Sequence, residues 1–146
     1  MKVITFILLL GLSISYSTDA AVTYARKYCA SYNPNYPNYI PIGGDSASFV
    51  SQCLIAGGQD FKGCINVKSK GIFEDIISLK NCLIQKGWKA STTRPPEFKA
   101  GYPMAAVGFN HIMIASSVKG DQIKFCSHSN DYCDKELTFK VIYYYL

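Results

Sequence analysis

Six cysteines, at positions 29, 53, 64, 82, 126 and 133 of a 146-residue chain, constrain this fold more than any other feature. An even number in so short a chain points either to a disulfide framework or to a store of reactive thiols. The compartment decides between them, because disulfides persist in oxidising surroundings. The first residues speak to the compartment. Met1-Lys2 is a short positive start, and Val3 to Ile14 is apolar apart from Thr5, Gly11 and Ser13. Small residues then offer two cleavage frames, Ser15-Tyr16-Ser17 and Thr18-Asp19-Ala20. This order reads as a secretory signal peptide over residues 1–20, so the chain is expected to be secreted. A cut after Ala20 leaves 126 residues, room for one domain over 21–146 that keeps all six cysteines. Three bridges are therefore expected. Cys126–Cys133 is the best local pair, because a tight turn between them would bring them together. Zinc is the weaker account, since the chain has no Cys-x-x-Cys spacing and only two histidines.

Charge narrows the partners. The chain carries Lys+Arg 15 against Asp+Glu 10, and Lys62 to Lys99 alone holds eight basic and three acidic residues. One reading is a patch that meets an anionic surface; the other is a solvated face, favoured by the spacing of the lysines. With 49% apolar residues the chain is not disordered, and no apolar run reaches the roughly 18 residues of a membrane span. No phosphate loop, metal motif or nucleic-acid motif is present, so no cofactor and no nucleic-acid partner are expected, and a monomer is expected.

The hydrophobic period changes along the chain. Ala21 to Tyr32 has helical spacing, with Asp19 placed to cap its start and Asn33-Pro34 to end it. A proline- and tyrosine-rich loop follows. Gly43-Gly44-Asp45 leads into a second helix, capped by Asp45 or Ser46 and stopped at Gly57-Gly58. Ile72 to Lys86 reads as a third helix with Phe73, Ile76, Ile77, Leu83 and Ile84 on its apolar face. Short strand-like runs come next: Met104–Gly108, His111–Val118, Gln122–Ser127 and Thr138–Tyr145. Helices first and antiparallel strands second predict an α+β fold.

One layout carries chemistry. A residue at a helix N-terminus, with a histidine far downstream on a strand, is how a nucleophile and its base are commonly held together. Here those residues are Ser46 and His111, and His128 with Asn130 offers groups that could orient the imidazole. Ser46 also suits a simple helix cap, and His128-Ser129-Asn130-Asp131 a polar turn. Tyr36 and Tyr39 are candidates for the wall of a groove. Cys53 lies two turns into the second helix on its apolar side, a poor place for a nucleophile, so bridging is expected for all six cysteines.

Three stretches resemble the putative amidase domain of the papain-like cysteine peptidase and amidase superfamily. They are Ala21-Val22-Thr23-Tyr24-Ala25 continuing through Tyr32 to Pro37; Gly44 to Leu54 with Ala56-Gly57-Gly58; and Asn110-His111 to Ile114 with His128 to Asp131 and a tyrosine-rich final strand. The resemblance implies a papain-like core and hydrolysis of amide bonds in peptides or peptidoglycan. It implies Ser46, His111, His128 and Asn130 as the site. The family's pattern Asp-Cys-Thr-Asn-Phe stands here as Asp45-Ser46-Ala47-Ser48-Phe49, with serine where the nucleophilic cysteine is expected. A hydroxyl is not ionised by a helix end as a thiol is, so loss or attenuation of hydrolysis is expected. A non-catalytic protein that binds wall peptide or glycan, and a basic effector on anionic surfaces, are the alternatives.

Overall fold

The computed structural model describes residues 15–42 and 44–146. Of the expected signal peptide over residues 1–20, Met1 to Ile14 lie outside the described residues. Among the described residues, three α-helices pack on a six-stranded antiparallel sheet, and two disulfides cross-link them. The helices are α1 (Thr18–Tyr28), α2 (Ser46–Ala56) and α3 (Ile76–Gln85). The strands are β1 (Lys89–Ser91), β2 (Pro103–Ala106), β3 (Ile112–Lys119), β4 (Gln122–Ser127), β5 (Tyr132–Glu136) and β6 (Val141–Tyr145). Their order across the sheet is β1-β6-β2-β3-β4-β5. The expected α+β class holds.

α2 is the central helix. Ser46 through Leu54 are all buried, because α1, α3 and the β3–β4 region surround it. A helix covered on every side needs no amphipathic stripe. Its apolar residues Phe49, Val50, Cys53 and Leu54 join Ile112, Met113, Ile114 and Phe125 in one core. Buried polar groups on α2 find partners. Ser51 donates to the Ala47 carbonyl at 2.8 Å and accepts from the Phe73 amide at 3.1 Å. Gln52 donates to Ser48 Oγ at 2.9 Å and accepts from the Tyr24 hydroxyl at 2.6 Å, tying α2 to α1.

α1 begins and ends earlier than its periodicity suggests. Ser17, not Asp19, caps it: Ser17 is extended and its hydroxyl accepts from the Ala20 amide at 3.1 Å. Asp19 occupies the first turn, where the dipole favours a carboxylate. The helix stops at Tyr28, and the next residue, Cys29, is bridged. The residue before the helix is also built in. Tyr16 donates to the Gly101 carbonyl at 2.7 Å and sets its ring edge-on to Trp88, centroids 5.3 Å apart. Removing a packed aromatic of this kind costs about 3–5 kcal/mol.

α3 starts at Ile76, because Asp75 accepts from the Ser78 amide at 2.8 Å and so caps it there. Ile72 and Phe73 are buried, but in the segment before the helix. Ile77 and Ile84, expected on the apolar face, are 68% and 53% exposed. The buried face is Ile76, Leu79, Cys82 and Leu83, the i, i+3 and i+4 partners of one stripe. Two strands had no apolar signal. β1 is Lys89-Ala90-Ser91, and β5 is a mostly exposed edge strand of Tyr132-Cys133-Asp134-Lys135-Glu136.

The cysteines correct the expectation most sharply. The bridges are Cys29–Cys133 and Cys64–Cys82, with Cα separations of 5.4 and 5.6 Å. Cys126 does not pair with Cys133, and Cys53 and Cys126 are buried free thiols. The ladder between β4 and β5 slips between Phe125 and Ser127, so Cys126 has no direct partner across it. Cys126 instead enters the core opposite Ile114, while Cys133 on the exposed edge meets the end of α1. Burial pushes both free thiols up from their ordinary range, as it does for apolar structural cysteines.

The two bridges span 104 and 18 residues of sequence. In the chain-entropy account these loops correspond to about 4.7 and about 3.2 kcal/mol. Replacing Cys29 and Cys133 by alanine is therefore expected to lower the chemical-denaturation midpoint more than replacing Cys64 and Cys82. Equal losses in the two double variants would contradict this.

Candidate active site

The N-terminus of α2 is held by an unusual use of its capping residue. Asp45 occupies the N-cap position, but its side chain makes no bond to the helix. One carboxylate oxygen accepts from the Tyr39 amide at 3.1 Å, and the other lies 2.7 Å from His128 Nδ1. Asp45 and His128 are each 1% exposed. The other ring nitrogen of His128 donates to the Tyr28 carbonyl at 2.6 Å. A backbone carbonyl only accepts, so Nε2 carries a proton. The Nδ1 contact then shares a second proton between imidazole and carboxylate. The imidazole stacks on Phe49, centroids 4.0 Å apart, and Tyr32 lies at 4.3 Å on a tilt.

A second contact reinforces the first. Ser129 Oγ accepts from the Asp45 amide at 3.0 Å. Ser129 has φ 79°, a left-handed turn that presents its hydroxyl to α2. Gly44, at φ 112°, passes so close that a Cβ there would stand 2.9 Å from this hydroxyl. Only glycine meets both demands without strain.

This clamp leaves the first turn of α2 free. Phe49 is the first residue whose amide finds a carbonyl, that of Asp45 at 2.9 Å. The preceding amides have no acceptor within the helix, so positive potential gathers at Ser46. Ser46 and His111 line the same cavity, about 570 Å³ in volume. Its wall also includes Asn66, Lys68, Glu74, Asp75, Asn110 and Ser129.

The four residues singled out from sequence therefore separate. Ser46 and His111 share the cavity. His128 does not orient His111 here, because both of its ring nitrogens are engaged with Asp45 and Tyr28. Asn130 is exposed and lines a neighbouring cavity of about 350 Å³ with His111, Phe109, Phe125, Tyr132 and Phe139. Its side chain makes no hydrogen bond to the imidazole: His111 Nε2 is buried without a partner among the described residues. Burial lowers the His111 pKa from its ordinary value of 6.5. The ring is therefore neutral at pH 7 and a weaker base than a solvated one.

Tyr36 and Tyr39 are absent from the cavity's lining. The wall contributed by Asn66, Lys68 and Glu74 was not legible, since it comes from a polar loop with no motif. Asp45 was legible only as a cap. Its partner His128 is 83 residues away, and no local pattern links them.

The family model for a putative amidase domain matches residues 15–144. The chain belongs to this family. The family is described as a putative amidase domain. The match begins at Ser15, just ahead of Tyr16 and the Ser17 cap, and runs into β6. No curated protein and no solved structure matches the chain.

Two outcomes follow from this geometry. Breaking a buried pair by removing one partner costs about 3–5 kcal/mol, so Asp45→Ala and His128→Ala should each lose stability on that scale. In a double-mutant cycle their coupling should be about 1–3 kcal/mol, and additive losses would contradict the pairing. The second concerns pH. The folded pKa of His111 lies below the unfolded one, so the unfolded chain binds more protons between the two values. Its contribution to stability is complete above pH 6.5 and falls as the pH drops from there to the folded value. His111→Gln should remove that part of the acid dependence. An unchanged profile by thermal melting would contradict it.

Proposed function

We propose that this is an exported amidase-family protein whose cavity binds a peptide-like amide, with hydrolysis attenuated or lost because Ser46 stands in the nucleophile's place. The observation that carries this reading is the unpartnered Nε2 of His111 beside a cavity that also holds Ser46. A serine nucleophile needs a general base of suitable pKa, held in one tautomer by a third group. Here the base is weakened by burial, and its Nε2 has no orienting partner among the described residues. A thiol in the same place needs less, because it ionises far more readily than a hydroxyl. The oxyanion side is better supplied, through the free amides at the start of α2.

The cavities on either side of His111 suit a substrate with two unlike flanks. Lys68 and Glu74, 3.9 Å apart, offer both charges to a polar peptide on the Ser46 side. Phe109, 52% exposed, with Phe125 and Phe139 offers an apolar seat on the other. Peptides and peptidoglycan stems carry such mixed flanks. Export is supported by the sequence of the leader and by the two disulfides. No helix among the described residues is long and apolar enough to cross a membrane.

The reading of a basic effector on anionic surfaces has less support. Six of the eight basic residues from Lys62 to Lys99 are tied to separate neighbours. Lys70 donates to the Asn35 carbonyl, Lys86 to Lys62 O at 2.7 Å and Arg94 to Gly120 O at 2.6 Å. Lys89 and Lys99 lie over Tyr145 and Tyr102.

Ser46→Cys is the decisive variant. Against a panel of peptide amides and peptidoglycan fragments, it should exceed the natural protein at least about tenfold, a barrier difference of about 1.4 kcal/mol. That gain should vanish in Ser46→Cys/His111→Ala. Turnover by the natural protein equal to that of Ser46→Cys would overturn the attenuation. Absence of turnover by every variant, together with absence of retention on peptidoglycan, would overturn the amide-binding site itself.

A further inference from the structure

We infer that the exported chain is cut between Ser15 and Tyr16, so that the mature protein begins at Tyr16. Besides the two frames that end at Ser17 and Ala20, a third, Ser13 with Ser15, also places small residues at the two positions that a signal peptidase reads. Sequence alone ranks them poorly. The folded protein separates them, because it uses the residues that the later cuts would discard.

Tyr16, Ser17 and Thr18 are strapped to the body of the domain. The Tyr16 hydroxyl donates to the Gly101 carbonyl at 2.7 Å, and the Ser17 amide donates to the Gly57 carbonyl at 2.7 Å. The Tyr16 ring lies edge-on to Trp88 and 6.3 Å from Tyr102, two side chains that are themselves buried. Two glycines make room for the strap. A Cβ on Gly57 would stand 2.4 Å from the Tyr16 ring, and one on Gly101 would stand 2.8 Å from Thr18. Both are closer than side-chain atoms can approach backbone or ring atoms, so these two positions are shaped around residues 16–18. Ser17 then caps α1, and Thr18 to Ala20 form its first turn.

A cut after Ser17 would remove the tyrosine and the cap. A cut after Ala20 would also remove the first turn and open Trp88 and Tyr102 to water. A cut after Ser15 removes none of these contacts and leaves 131 of the 146 residues. It also leaves ten residues, Val3 to Leu12, as the apolar stretch, within the usual range for a leader. In the reaction, water adds across the Ser15–Tyr16 peptide bond, leaving a carboxylate on Ser15 and an ammonium group on Tyr16. A signal peptidase supplies the catalysis. This boundary depends on export of the chain and not on any chemistry at Ser46.

The test is to express the full chain with its own leader in a secreting eukaryotic host and to determine the intact mass and first residues of the protein in the medium. Tyr16 as the first residue is the expected result. Thr18 or Ala21 as the first residue, or a chain that keeps its leader, would overturn the inference. Two variants sharpen the assignment. Ser15→Gln should block or displace the cut, whereas Ala20→Gln should leave Tyr16 first; the opposite pattern would overturn it. Independently, a chain of residues 21–146 should melt at least about 10 °C below one of residues 16–146, and equal melting would remove the structural basis of the argument.

Discussion

The buried contact between Asp45 and His128 is the interaction on which the rest of the site depends. It joins the first residue before α2 to the residue that follows β4, across 83 positions of sequence. Each partner is spent on more than the other. Asp45 also receives the Tyr39 amide, which folds the proline-rich loop back onto the helix start. His128 also donates to Tyr28, at the end of α1. One pair thus fixes α1, the loop, α2 and the end of the sheet relative to one another. A buried pair of this kind gains little net stability over a well-packed apolar one, but it tolerates no other arrangement of its neighbours.

The consequence for chemistry is indirect. With the Asp45 side chain turned away from the helix, the amides of the first turn stay free beside Ser46. The same clamp holds Ser129 against Gly44, and Ser129 forms part of the cavity wall. The site is therefore assembled by a carboxylate and an imidazole that do not face it. His111, which does face it, is the less constrained of the two histidines: half-buried, neutral and, among the described residues, without a partner for Nε2.

Much of the frame was legible in the sequence because local physics wrote it. Gly57-Gly58 and Gly87 end helices whatever surrounds them, and β4 was bounded correctly because alternation and a tight turn enclose it. The placement of Ser46 at a helix start and of His111 beside a strand followed from the same local signals. What was not legible is tertiary. The irregularity in β5 at Cys133-Asp134, opposite Cys126, has no sequence signature, and neither has the pairing of Cys133 with Cys29. Ile77 and Ile84 have the right character for a core and point to solvent, because the helix starts four residues later than its apolar pattern. β5 is charged because an exposed edge strand is kept that way, and so it lacked the pattern that marks a strand. His128 was recognised as important but given the wrong neighbour, since nothing local tells a clamp from an orienting group.

The central claim is that His128 is the locked histidine and His111 the open one, and nitrogen-resolved NMR of the two imidazole rings tests it most directly. At neutral pH the account predicts two slowly exchanging ring protons for His128, one shared with Asp45 and one held by the Tyr28 carbonyl, and none for His111. A rapidly exchanging His128 ring, or a protected proton on His111, would contradict it.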